Sequence, residues 1–402
     1  MQTAVLAFES VRIAPYRLRP VSRTQAAATQ RTPAFDYLRA FVIGLVVLHH
    51  AAMAYCTGGR VAEAGQYMQS SAPIVDAAQW EGFNWMVVLN DSFFMPLMFL
   101  LSGLFVRTSL ARKGLRRYLG DRLMRLGIPL VAGIFLIVPL AYYASYLQSG
   151  GTRDFGAFWR HMVTAGPWPS GPIWFVGALL VIDALCALLL SHEKVQTGVR
   201  RLSARLDRLS PTGWFAIFLA LSALAYLPAL LALGPSLWLT AGPFGVQASR
   251  IGLYAFYFGA GVIVGADRLA EGFGRRWLRW PLFAALATAL FLALHGAPLP
   301  AAASGTALLL FSAAVAAALL ALAIRFGAQQ TPIGRSLGAN AYGIYLAHYP
   351  IVLWIQYALL RPPLGPPLGP VAKGLLVLVA GFGASWLAAS LVRRVPGVAR
   401  IV

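Results

Sequence analysis

The stretch FDYLRAFVIGLVVLHHAAMAY, Phe35 to Tyr55, is apolar enough to lie in lipid, yet it has an arginine at its entrance and two adjacent histidines near its end. An ionisable group inside hydrocarbon costs several kcal/mol on most scales, so each such residue is a functional candidate by default. On an α-helix Arg39 and His50 are eleven residues apart, about 20° from eclipsed with a rise of about 16 Å, and they share one stripe. His49 points about 80° to the other side of Arg39, toward a different neighbour. Asp36 precedes Arg39 by three, a spacing that pairs a carboxylate with a guanidinium near the cytoplasmic face.

The rest of the chain fits a membrane setting. Of 402 residues 59% are hydrophobic and only 11% charged, and the mean hydropathy is +0.68. That much apolar surface does not fit in the core of a water-soluble domain, so an all-α polytopic membrane protein is expected. The net charge of +20 does not argue for nucleic acid, because the basic residues sit in short clusters between long apolar runs. Cys56 and Cys186 lack metal-ligand spacing and are read as packing residues, and no metal site is expected.

Apolar windows long enough to cross a bilayer occur near 36–56, 84–106, 127–147, 172–191, 212–232, 250–267, 279–296, 303–325, 338–360 and 371–392, about ten transmembrane helices. Of the 33 Lys and Arg, 27 fall in alternate gaps between these windows. By the positive-inside rule both termini are cytoplasmic, which an even number of spans also requires. Residues 1–34 then form a basic flexible cytoplasmic tail, 35–395 the transmembrane domain and 396–402 a short cytoplasmic tail. Two long outer loops, about 57–83 and 148–171, together with PPLGPPLGP (Pro362 to Pro370), are rich in Trp, Gly and Pro. They either roof a site open to the outside or form ordinary interfacial loops.

Further polar residues fall where lipid would exclude them. Asn90 and Asp91 lie at a depth similar to His50, so Asp91 is a candidate to orient its imidazole and Asn90 a candidate substrate contact. Helix bridging explains the same two residues equally well. Arg122 and Arg125, spaced i, i+3 at the head of the third helix, suit a phosphate or pyrophosphate, or a lipid headgroup. His348 lies near mid-membrane beside Tyr342 and Tyr345, either as a site residue or as an interhelical hydrogen bond. Trp174 either lines the site or belongs to the aromatic belt, and Asp183 has no obvious partner.

These residues recur in a recognisable order. Arg39 and His50 are followed by FFMPLMFLLSGLF (Phe93 to Phe105), the Arg122 and Arg125 pair, SGPIWFVGALL (Ser170 to Leu180) and NAYGIYLAHYPIV (Asn340 to Val352). Together they resemble the acyltransferase 3 family of bacterial membrane proteins over roughly residues 31–395. The segment from Ser92 to Gly114 is most similar to the branch containing glucan biosynthesis protein C. The resemblance implies a multi-pass protein of the bacterial cytoplasmic (inner) membrane. Its activity would be O-acylation of an extracytoplasmic glycan, lipid-linked sugar or other envelope acceptor.

The donor implied is acyl-CoA, used as a substrate rather than a permanently bound cofactor. Carried over by position, the essential residues of the first helix are Arg39 and His50, and the second arginine motif is Arg122 with Arg125. In this reading His50, with Asp91 and Arg39, is catalytic. Arg39, Arg122 and Arg125 hold the CoA phosphates, and Asn90, Trp174, Tyr345 and His348 face the acceptor. The competing reading is a transporter or flippase for an anionic or glycan substrate. It predicts paired broken helices in two related half-chains, and no convincing pair is visible.

Overall fold

The computed structural model describes residues 33–401, apart from 267, 270–272, 274–276, 328, 330 and 362–367. Residues 1–32 of the expected tail and most of PPLGPPLGP therefore lie outside the described residues, whereas Pro33 and Ala34, expected in that tail, begin the first helix. Among the described residues the regular elements are helical except for a two-stranded hairpin, Trp238–Ala241 (β1) with Phe244–Gln247 (β2), which the apolar windows did not foreshadow.

Each of the ten windows falls on a helix. In chain order these are α1 (Pro33–Met53), α2 (Glu81–Gly103), the helical stretch from Leu115 to Gln148, α8 (Trp174–Ser191), α10 (Pro211–Leu233), α11 (Ile251–Val264), α12 (Arg279–Leu294), α13 (Ala301–Phe326), α14 (Pro332–Ala358) and α15 (Pro370–Val392). Among the described residues seven helical stretches are long and apolar enough to cross a membrane. The chain is an all-α polytopic membrane protein. Helices α11 and α12 are shorter, and α14, though long, is interrupted by Arg335, Asn340, His348 and Gln356.

Local signals explain several helix starts. Ser210 and Thr331 each cap a helix whose next residue is proline, and their hydroxyls accept from Gly213 N at 3.1 Å and Gly334 N at 3.0 Å. A capping oxygen satisfies an orphan N–H, and proline at the first position loses no helical bond. Gly114, at φ 74°, turns the chain from α3 (Val106–Lys113) into α4 (Leu115–Arg122).

Two π-helical segments, Leu123–Gly127 and Gly133–Ile137, separate α4, α5 (Ile128–Ala132) and α6 (Val138–Gln148). Each ends two residues before a proline, Pro129 or Pro139. Proline offers no N–H to the carbonyl four residues back, and the wider turn relieves the clash its ring creates. The Phe135 carbonyl, four residues before Pro139, accepts instead from the Trp159 indole at 2.8 Å.

Helix α1 is central, packed against α14, α2, α13 and α15. It runs alongside α14 in the same direction, since Gly338 packs near Asp36 at one end and Gln356 donates to His50 O at 2.8 Å at the other. The faces of α8, α10, α12 and α15 turned away from the core carry exposed Val181, Leu224, Leu286 and Val379, as lipid-facing surfaces do. Helices α2 and α11 meet backbone to backbone, with Gly103 against Phe258 and Gly261 against Leu100. Close approach at small residues is how helices associate without a hydrophobic drive between them. Gly261→Leu is expected to lower the melting temperature in detergent, with a cost of about 1–3 kcal/mol from overpacking against backbone. An unchanged melting temperature would show that this contact is dispensable.

The two long loops are built, not loose. Asp76 is held by Lys373 of α15 at 2.7 and 3.0 Å, and the Gln148 side chain bridges both Val75 N and Val75 O. Tyr67 of the first loop packs on Phe158 of α7 (Phe155–Thr164) at 5.7 Å and on Tyr142 at 5.9 Å. The two loops thus close over one end of the bundle.

Candidate functional site

Arg39 sits near the start of α1. Its guanidinium reaches Asp36 at 3.5 Å, donates to Leu101 O at 3.3 Å and lies 4.7 Å above the Phe105 ring. The i, i+3 partnership with Asp36 is present as expected. Two further contacts hold the fork against the end of α2, about 16 Å along α1 from His50. Arg39 remains one-third exposed, so part of its charge faces outward.

At the other end of α1, His50 enters a cluster of rings. Its imidazole lies 5.3 Å from His348, 4.9 Å from Tyr349 and 5.3 Å from His49, measured between centroids. Tyr349 donates to the Tyr142 hydroxyl at 3.1 Å, and Tyr142 touches Tyr67 of the loop above. A connected aromatic path therefore runs from the closed loops down to His50. His49 is buried and stacks on Phe94 at 5.4 Å with planes 29° apart, consistent with the packing role expected from its helical phase.

His348 is fully buried. Its Nδ1 lies 2.5 Å from Tyr345 O, one turn back on α14. Tyr345 donates to Pro172 O, which ties the segment before α8 to α14, and its ring meets Phe175 edge-on at 5.9 Å. Trp174, part-exposed at the head of α8, lies 5.6 Å from Tyr254 and 6.3 Å from Phe175. Tyr345 and His348 are thus brought to the His50 cluster, and Trp174 stands one ring behind them.

Asp91 is placed differently from the sequence expectation. Its carboxylate pairs with Arg250 at 2.8 Å, and the same guanidinium donates to Asp91 O at 3.0 Å, so it does not orient His50. The cause is helical phase. Asn90 faces α1 and donates to Leu45 O at 2.7 Å, so Asp91, about 100° further round α2, turns toward the start of α11. Asn90 accordingly bridges two helices, the structural alternative for this residue.

The two arginines stand in different surroundings. Arg122 Nε meets the Asp183 carboxylate at 2.5 Å, and Tyr118 donates to the other oxygen of that carboxylate at 2.5 Å. Asp183, without an apparent partner in the sequence, therefore fixes one edge of Arg122. Arg125 lies inside the first π segment and is exposed. Because α2 ends beside Arg39 and leads through α3 and Gly114 into α4, Arg122 stands at the Arg39 end of the bundle.

Sequence reasoning missed Tyr349, Tyr142 and Gln356. The spacing of Tyr342, Tyr345 and Tyr349 on one face of α14 was the available signal for Tyr349. Nothing local in the sequence marks Arg250 as the partner of Asp91. Among the described residues no group of three or more His, Cys, Asp and Glu is arranged to hold a metal ion.

Compared with known families, residues 32–390 match a family model described as an acyltransferase domain, that of acyltransferase 3. No curated protein matches the chain.

Proposed function

Since the chain belongs to the acyltransferase 3 family, we propose that it moves an acyl group from cytoplasmic acyl-CoA to a hydroxyl of an extracytoplasmic glycan or other envelope acceptor, in a bacterial inner membrane. The observation that carries this reading is the arrangement on α1. An arginine fork stands at one end, and about 16 Å away an imidazole sits in a ring-lined cluster beneath two closed loops. That separation is comparable with the pantetheine arm that joins the CoA diphosphate to its thioester. Within the family, the Ser92 to Gly114 segment favours the branch of glucan biosynthesis protein C.

In this reading Arg39 binds the CoA phosphates together with Arg125, while Arg122 contributes the edge that Asp183 leaves open. The acceptor hydroxyl reaches His50 from the loop side. His50 takes its proton, the oxygen attacks the thioester carbonyl, the C–S bond breaks, and His50 returns the proton to the leaving thiolate. The net products are the ester and free CoA.

The test is release of free CoA by the purified protein, with and without candidate glycans. Acceptor-dependent release supports the proposal, and a protein that neither binds nor consumes acyl-CoA removes it. Arg39→Lys is expected to raise KM for acyl-CoA about tenfold with kcat nearly kept, because a point charge replaces a planar fork. An unchanged KM would assign Arg39 to lipid contact or packing.

A further inference from the structure

Among the described residues no carboxylate is bonded to the His50 imidazole to hold it in one tautomer, and Asp91 pairs with Arg250. The group placed beside it is His348. Its Nδ1 faces the Tyr345 carbonyl at 2.5 Å, and a carbonyl only accepts, so Nδ1 carries the proton. In the neutral ring Nε2 is then a bare acceptor. It is buried and, among the described residues, has no hydrogen-bond partner, in a fully buried side chain.

The nearby hydroxyls are already engaged, since Tyr345 donates to Pro172 O and Tyr349 to Tyr142. His50, whose ring centre is 5.3 Å away, is a neighbour able to donate. A buried acceptor left without a proton is costly, and hydrogen bonds of this kind often tighten only when substrate is bound.

We infer that His348 is a positioning residue for His50: its Nε2 accepts the N–H of one His50 nitrogen and so fixes the lone pair of the other toward the acceptor hydroxyl. The inference rests on the acyltransferase reading above. It gives the site a neutral histidine where a carboxylate was expected. When the free nitrogen of His50 takes the hydroxyl proton, the N–H it already carries stays bonded to His348 and no proton need pass further along the chain. His348 itself neither gains nor loses a proton in the cycle.

Two substitutions separate this role from packing. His348→Asn can retain a donor to Tyr345 O but has no acceptor at the depth of Nε2. It is expected to fold, to keep KM for acyl-CoA, and to lose kcat on the order of 100-fold. His348→Gln places an amide oxygen near Nε2 and is expected to recover part of that loss. Wild-type kcat in His348→Asn, or a folded His348→Gln no better than His348→Asn, overturns the inference. Histidine ¹⁵N spectra supply a readout that needs no turnover. His50 is expected to show one tautomer in the wild type and a mixture in His348→Asn, and an unchanged His50 signal overturns the role even if acyl-CoA proves not to be the donor. Failure of the acyltransferase reading is visible separately, as wild-type protein that releases no CoA.

Discussion

His50→Ala is expected to remove acyl transfer, with kcat falling by about 10²- to 10⁴-fold, the range a positioned general base supplies. Expression and the melting temperature should change little, because the ring is only partly buried and Gln356 bonds the His50 backbone, not its side chain. His49→Phe is the matched control. His49 stacks on Phe94 deep in the bundle, so an aromatic ring of similar shape should keep both packing and most of the activity. The two neighbours differ by about 100° of helix phase, and that phase alone separates their expected roles. CoA release by each variant, measured beside its thermal melt, decides the matter. Equal loss from both would mean that the whole doublet, not one imidazole, serves the chemistry. His50→Ala with full activity would move the acceptor site elsewhere.

The same helical phase explains what the sequence could and could not disclose. Apolar windows are local, so all ten fell on helices, and the Arg39 to His50 stripe needed only the geometry of one helix. Asp36 was found as a partner of Arg39 for the same reason. Partnerships between helices were not legible, because they depend on rotation and depth of two elements at once. Asp91 was assigned to His50 by depth, which was the right level but the wrong side of α2, where Arg250 waits. Asp183 and Arg122 meet at 2.5 Å, although nothing in the local pattern of either helix joins them. The i, i+3 argument for Arg122 with Arg125 assumed an α-helix where prolines two residues downstream produce π turns. Pro129 was the local signal for that departure, and Pro139 for its repeat ten residues on.

Lys373→Met is expected to destabilise the protein by about 3–5 kcal/mol, because it strands a buried carboxylate. Asp76 and Lys373 are 3% and 5% exposed, and they bond through both carboxylate oxygens. Water cannot screen or replace such a pair, so loss of one partner carries the desolvation cost of the other. Asp76→Asn with Lys373→Met removes both charges and should recover much of the loss, since a neutral amide can still accept the Ala78 N–H that Asp76 now binds at 2.8 Å. The consequence reaches the site. Asp76 fixes the loop whose Tyr67 packs on Tyr142, which in turn accepts from Tyr349 beside His50. The single variant should therefore raise KM for the acceptor while leaving KM for acyl-CoA near its wild-type value, because the donor groups lie at the opposite end of α1. Thermal melts of the single and double variants, with the two KM values, test both halves. A Lys373→Met protein as stable as wild type would show that Asp76 finds water or another donor, and a shift in donor KM alone would sever the proposed link between this loop and the acceptor side.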